Sequence, residues 1–211
     1  MLPYFNAIWG ESPKIKQLKI YYLFMHADGE CKKSEVGFLD EIIAKSELDK
    51  SELDEFMEFC GKMQIADMGH SASVAIAEID KLLGEKEESF TLGTTYPFSK
   101  NKRRDIRDKK MQAQTIWTLI NLGYADSKYS EEEKKVVNHL VERWKMDSML
   151  VAELNDTAAT ILDLTLQKEW IQTTSKPYKE INNIIQELDR NIDSMFANVE
   201  IAISEADIEK E

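Results

Sequence analysis

A motif that occurs twice, 98 residues apart, most constrains the fold of this chain. Residues 27–35 read ADGECKKSE and residues 125–133 read ADSKYSEEE, so each copy places an Asp seven residues before a Glu. Apolar residues on both sides of the motif align at the same offset without a gap. The aligned pairs include Phe24/Leu122, Leu39/Val137, Ile42/Leu140 and Phe56/Leu154. We therefore predict two similar halves.

The apolar residues in both halves recur every three to four positions, which is typical of amphipathic helices. Gly29 predicts the end of the helix before the first motif. Asp49 with Glu52 has the spacing of a capping box at a helix start, and Ser130 with Glu133 has it again. No segment alternates apolar and polar residues for long enough to predict a strand. The predicted fold class is all-α, a single domain of two pseudo-symmetric helical halves with an added long C-terminal helix.

We expect one domain that spans residues 1–211. Gly93, Pro97 and the absence of any apolar period indicate a connector between the halves. The predicted parts are a first half at 12–84, a connector at 85–104, a second half at 105–172, a C-terminal helix at 176–203 and an acidic tail at 204–211.

The charge balance restricts the partners that we expect. With 27 Lys and Arg against 39 Asp and Glu, the net charge of −12 does not favour nucleic-acid binding, which needs a basic surface. The segment 100–110 is the one concentrated basic stretch and the only candidate for contacting phosphate or an acidic protein. We expect a protein partner, and the sequence does not specify an oligomeric state.

Three further observations predict a cytoplasmic protein. No run of about 18 apolar residues indicates a membrane span. The first residues, MLPYFN, lack the basic and apolar regions of a signal peptide. Cys31 and Cys60 are too few for a disulfide framework, as is usual in a reducing compartment.

The acids of the two motifs are the candidate site residues. Residues three, four and seven apart share a helix face. By this spacing Asp28 and Asp126 continue the apolar stripe of the helix before them. Glu35 and Glu133 begin the stripe of the helix after them. Each Asp–Glu pair should therefore point inward at the mouth of a helical hairpin, where a carboxylate needs hydrogen bonds, a cation or a proton.

Two roles stay open for these acids. In the first they cap helix ends, with the Asp accepting backbone N–H groups of the next turn. In the second a divalent cation lies between Asp and Glu, and backbone carbonyls and water complete its ligands. Carboxylate ligands favour Ca²⁺ or Mg²⁺ over Zn²⁺. The loop is not an EF-hand, because Gly29 follows Asp28 directly and Glu35 stands at position eight.

Residues 27–30 (ADGE) with Glu35, and residues 125–126 (AD) with Glu133, resemble the two Ala-Asp-Gly…Glu motifs of the TerB-like tellurite-resistance family. The resemblance implies an all-helical cytoplasmic protein with two similar halves, linked to chemical stress and metal-ion resistance. It also implies that the acids of both motifs are divalent-cation sites. The second motif departs from the family pattern at Ser127 and Lys128, where the family has Gly and a polar or acidic residue.

We therefore predict a helical binding or scaffold module of a stress-response or metal-resistance system, and no enzymatic activity. No phosphate-binding loop, nucleophile elbow or Ser/His/Asp grouping is visible in the sequence. One alternative is a metal-assisted hydrolase that uses the same acids, although such chemistry needs further ligands and a general base. The other is a purely structural interaction adaptor without a ligand, whose acids only cap helices.

Overall fold

The computed structural model describes residues 13–29, 31–46, 48–65, 71–84, 99–125 and 128–205. These ranges contain eight α-helices and no β-strand, which confirms the all-α class. In chain order the helices are α1 (Pro13–Met25), α2 (Lys33–Lys45), α3 (Lys50–Ile65), α4 (Ala72–Leu83), α5 (Ser99–Tyr124), α6 (Glu131–Trp144), α7 (Ser148–Gln172) and α8 (Tyr178–Glu205). None of these helices combines the length and the apolar composition needed to span a bilayer.

The chain divides into two compact units, each described here by itself. Unit 1 comprises Met1–Thr94 and Lys128–Leu140, and so holds α1 to α4 and most of α6. Unit 2 comprises Thr95–Ser127 and Val141–Glu211, and so holds α5, the end of α6, α7 and α8. The units differ from the predicted halves, because α6 groups mainly with helices of the first half. A single domain spanning 1–211 stays a prediction.

Helix α1 is the centre of unit 1 and packs against α2, α3 and α4. Its second half is apolar on nearly every side, since the five residues Ile20, Tyr21, Leu23, Phe24 and Met25 are all buried. A helix without a polar face can only be stable when other helices surround it. Its neighbours contribute buried apolar side chains in turn, among them Leu39, Phe56 and Ile79. Each such side chain adds about 1.5–3 kcal/mol through the hydrophobic effect.

Unit 2 is built on the antiparallel pair α7 and α8, with α5 packed against both. The second half of α5 resembles that of α1, because Ile116, Leu119, Ile120 and Leu122 are fully buried. The buried residues that face it include Leu154, Ala158, Ile161, Leu188 and Val199. The C-terminal helix α8 therefore packs against α7 and α5 within unit 2.

Most predicted helix limits agree with the structure. Helix α1 is followed by a turn at His26–Asp28, and Gly29 then adopts the left-handed φ of 86° that favours glycine. The N–H of Asp49 donates to Oε2 of Glu52 at 3.1 Å, and the N–H of Glu52 donates back to Oδ1 of Asp49 at 2.9 Å. This reciprocal pair confirms the capping box before α3.

Two predicted limits need correction. Helix α5 begins at Ser99 rather than near Asp105, so the last residues of the predicted connector 85–104 are helical. These residues are rich in Lys and Arg, which are good helix formers, and a helix anchored by its packed second half extends at little cost. Helix α8 continues to Glu205, past the predicted limit at 203. Connector residues 85–98 and tail residues 206–211 lie outside the described residues.

Candidate functional site

The first motif forms the turn between α1 and α2 in unit 1. The Ala27 N–H donates to the Phe24 carbonyl at 2.9 Å, and the side chain of Ala27 is fully buried. This bond continues the last turn of α1 as far as the motif. Asp28 follows with a half-buried side chain, and Gly29 then redirects the backbone. The turn therefore places Asp28 just ahead of the first turn of α2.

Glu35 lies in the first turn of α2, and its carboxylate caps the start of the helix. The backbone N–H of Lys32 donates to Oε2 of Glu35 at 2.7 Å. This N–H belongs to the helix start, where backbone donors have no intrahelical acceptor. Only 3% of Glu35 is exposed. The predicted capping role and the predicted inward direction are therefore both observed for this residue.

Glu133 repeats this arrangement in the first turn of α6. The backbone N–H of Ser130 donates to its Oε2 at 2.7 Å, and the N–H of Glu133 donates to Oγ of Ser130 at 3.2 Å. The predicted capping box is confirmed, and only 2% of Glu133 is exposed. A negative charge is favourable at this end of a helix, but burial makes the same charge costly.

The structure brings Glu133 into unit 1 with both acids of the first motif. Burial is the largest influence on Glu133 and raises its pKa from the usual 4.5 to about 7. The hydrogen bonds from Ser130 lower this pKa, and the negative charges of Asp28 and Glu35 raise it. We had expected Glu133 to face Asp126, which lies outside the described residues. The interaction of Glu133 with the other motif was not predicted.

Cys31 lies beside the same acids, between Asp28 and Glu35 in the chain. Cys31 is exposed. Partial loss of water raises the pKa of the Cys31 thiol, and the negative charges of Glu35 and then Asp28 raise it further. A thiol held protonated is a poor nucleophile. The acidic surroundings therefore disfavour thiolate chemistry at Cys31.

A side-chain contact that no sequence motif indicates joins α6 to α4 in unit 1. Nε2 of His139 lies 2.8 Å from Oδ1 of Asp80 on α4. Both side chains are partly exposed. The two residues are far apart in the sequence, and an isolated His with an isolated Asp carries no local signal. The contact matters for the site because it links α4 to the helix that carries Glu133.

The backbone hydrogen bonds around the two motifs repeat at the 98-residue offset. Three N–H to carbonyl bonds of the first half each have a counterpart in the second half. The bond from Ala27 to Phe24 corresponds to that from Ala125 to Leu122. The bond from Val36 to Lys32 corresponds to that from Lys134 to Ser130, and the bond from Leu53 to Asp49 to that from Val151 to Asp147. The starts of α2 and α6, and those of α3 and α7, are also separated by that offset. The described residues at and around the two motifs therefore share the same pattern of backbone hydrogen bonds.

The donors that this site offers are carboxylate oxygens, which Ca²⁺ and Mg²⁺ prefer. Oε2 of Glu35 and Oε2 of Glu133 accept backbone N–H groups, which fixes the orientation of both carboxylates. Within the described ranges, no three Asp, Glu, His or Cys side chains form a group that could hold a metal ion. The fourth predicted ligand, Asp126, is outside those ranges. No protein-family model, no curated protein and no solved structure matches this chain.

Proposed function

We propose that this chain is a helical binding module that takes up a divalent cation through the acids of its two motifs. The observation that carries the proposal is the interaction of the buried Glu133 carboxylate with Asp28 and Glu35. Like charges in a poorly hydrated site are unfavourable unless a proton or a cation neutralises them. At neutral and alkaline pH, a cation is the neutralising partner that we propose.

The repeated backbone bonds support two pseudo-symmetric halves, as the resemblance to the TerB-like family implies. Under this proposal Asp126 takes the place in the second motif that Asp28 has in the first. Each Asp–Glu pair would then supply its carboxylate oxygens to a cation, and backbone carbonyls and water would complete the ligands. Ca²⁺ and Mg²⁺ are the ions we propose, because all four donors are hard oxygens. A scaffold role in a stress-response or metal-resistance system is the wider function that the same resemblance implies.

Thermal unfolding with and without added cations tests the proposal. We expect Ca²⁺ or Mg²⁺ at 100 times its Kd to stabilise the protein at pH 8 by about 2.7 kcal/mol, and thus to raise Tm by several degrees. The variants Asp28→Asn and Glu35→Gln should lose this shift. Matched controls are Asp40→Asn and Glu131→Gln, which change exposed acids in α2 and α6.

The absence of any cation-induced shift in Tm would contradict cation binding. If none of Ca²⁺, Mg²⁺, Mn²⁺ and Zn²⁺ shifts Tm of the parent chain, the acids act only as helix caps. The alternative of an interaction adaptor without a ligand would then replace the proposal. If a cation shifts Tm equally in the parent, Asp28→Asn and Glu35→Gln, the ion binds elsewhere and the proposed site is wrong.

A further inference from the structure

Unit 2 contains an open groove that the acids of the two motifs do not line. It has a volume of about 1090 Å³ and is lined by residues of α5, the connection from α6 to α7, the start of α7 and the end of α8. All of these residues belong to unit 2. Met149 and Ile201 line the groove although they are 78% and 53% exposed, so the groove is open to solvent along the side that they form.

The connection between α6 and α7 forms one wall of the groove. The N–H of Met146 donates to the carbonyl of Val141 at 3.1 Å, and the residue before it, Lys145, has a left-handed φ of 51°. This bond and this backbone conformation are a common end of an α-helix. Asp147 then starts α7 by accepting the N–H of Met149 through Oδ1 at 2.8 Å. Hydrogen bonds thus fix both ends of the connection, and a preformed wall lowers the cost of binding.

The apolar side chains of the groove favour an extended apolar partner over a small ligand. The larger ones are Trp144, Met146, Met149, Leu150 and Ile201. Methionine side chains adapt their shape, and binding surfaces for helices often contain them. Small-molecule pockets have volumes of about 300–1,000 Å³ and enclose most of the ligand. A groove that is as large and open as this one instead fits the apolar face of a helix.

Both α7 and α8 present an exposed apolar residue and an acid to the groove, one helical turn apart. In α7, Glu153 stands four residues after Met149, and in α8, Glu205 stands four residues after Ile201. Positions four apart share a helix face, and all four residues line the groove. A partner that covers the two apolar side chains therefore comes close to two carboxylates.

The charges around the groove favour a cationic partner. Asp147 is a third acid of the lining, and Lys109 and Lys145 are its cations, so the acids are in excess. The last turn of α8 contains no basic residue that would compensate the negative end of its helix dipole beside Glu205. The whole chain has a net charge of −12. Complementary charge guides a partner to its site and excludes partners of the wrong sign.

We propose that this groove binds a basic amphipathic helix of a protein partner. The apolar face of that helix covers Met149 and Ile201, and its Lys or Arg side chains lie beside Glu153 and Glu205. Helices that bind in grooves place apolar anchors three to four residues apart, which is the period of the apolar and acidic positions in α7 and α8. The proposal does not involve the acids of the two motifs, so it stands or falls separately from cation binding.

Fluorescence anisotropy with a labelled model peptide tests the proposal at about 0.15 M NaCl. The probe LKKLLKLLKKLLKL has Leu on one helix face and Lys on the other. One control, LEELLELLEELLEL, reverses the charge, and the other, LKLKLKLKLKLKLL, keeps the composition with a period of two. We expect the probe to bind about tenfold more tightly than either control. Equal affinity for the basic and the acidic peptide, or no binding of the probe at about 100 µM, would overturn the proposal.

Two matched double variants show whether the probe binds in the groove. Met149→Gln/Ile201→Gln changes one groove residue in each of α7 and α8, and the control Trp170→Gln/Ile184→Gln changes one residue in each helix outside the groove. All four side chains are exposed, so neither variant disturbs the core. We expect the first variant to raise Kd about tenfold and the control to change it less than about twofold. Equal effects would show unspecific adhesion and overturn the proposal.

A second pair of variants tests the acids. Glu153→Gln/Glu205→Gln should raise Kd of the basic probe about threefold at 0.15 M NaCl, because exposed ion pairs are individually weak. The control Glu169→Gln/Glu180→Gln changes exposed acids of the same two helices outside the groove and should have a smaller effect. An equal loss of affinity in both would show that the charge of the whole surface, and not the groove, attracts the probe. That result would contradict the proposed site.

Sedimentation equilibrium of the chain alone tests a competing occupant, which is a second copy of this chain. We expect the mass in solution to be the same for the parent and for Met149→Gln/Ile201→Gln. A dimer of the parent that this variant dissociates would show that the groove binds another copy, and would overturn the proposal.

Discussion

Burial raises the pKa of Glu133, and the negative charge of Glu35 adds to that rise, so the two motifs of the chain interact electrostatically in unit 1. Each of these glutamates accepts a backbone N–H at 2.7 Å from the residue three positions before it, and each is almost completely buried. The hydrogen bonds fix both carboxylates where their charges repel. A proton on Glu133 relieves that repulsion below about pH 7, and a cation would relieve it above.

The first prediction concerns the pH dependence of stability at Glu133. Its pKa is raised from 4.5 to about 7 on folding, so the folded state binds the proton more tightly than the unfolded state. The resulting stability is fully present below about pH 4.5 and is lost as pH rises through 7. The variant Glu133→Gln should therefore raise the free energy of unfolding at pH 8 by roughly 1–2 kcal/mol, allowing for solvent screening around the carboxylate. At pH 4.5 it should have little effect.

Urea denaturation of both chains at the two pH values measures this difference. Gln also occurs at this position of capping boxes, so the substitution keeps the hydrogen bond from Ser130. Glu131→Gln is the matched control in the same helix turn, because its side chain is exposed. A stabilisation by Glu133→Gln that is the same at pH 4.5 and pH 8 would show that Glu133 does not titrate as stated.

The second prediction links the proton to the proposed cation. Because both neutralise the same carboxylates, they should compete, and metal affinity falls when a ligand is protonated. We expect the affinity for Ca²⁺ or Mg²⁺ to fall by up to about tenfold per pH unit below pH 7 and to level off above it. Isothermal titration calorimetry between pH 6 and pH 8.5 gives the profile. An affinity that does not vary with pH across this range would show that the ion does not bind at Glu133.

The local features of this fold could be predicted from the sequence, because they depend on neighbouring residues. The capping-box residues predicted the starts of α3 and α6, and Gly29 predicted the end of α1. The approach of Glu133 to Glu35 could not be predicted in this way. It depends on α6 grouping with unit 1. The contact between His139 of α6 and Asp80 of α4 joins residues that form no sequence pattern.

The third prediction concerns the two aspartates that cap α3 and α7. Oδ1 of Asp147 accepts the N–H of Met149 at 2.8 Å, and Oδ1 of Asp49 accepts the N–H of Glu52 at 2.9 Å. Replacing either residue by Ala removes an acceptor for a helix-start N–H and should cost about 1 kcal/mol of unfolding free energy. The control Asn keeps the acceptor and should cost only a few tenths. Chemical denaturation measures both, and equal losses for Ala and Asn would contradict a capping role.

The last prediction compares two glycines in helices with a third glycine that has a positive φ. Gly37 in α2 and Gly61 in α3 have ordinary helical backbones, and an added Cβ at either would meet no atom within 4 Å. Because Gly loses more conformational freedom on folding than Ala, Gly37→Ala and Gly61→Ala should each stabilise the protein by about 0.5–1 kcal/mol. Gly84 also has open space around it, but its φ of 78° and ψ of 167° form a conformation almost restricted to glycine. Gly84→Ala should therefore destabilise by about 1–3 kcal/mol. Denaturation curves of the three variants measure the change in unfolding free energy, which should be positive for Gly37→Ala and Gly61→Ala and negative for Gly84→Ala. A loss of stability in all three would show that the space around Gly37 and Gly61 is not open.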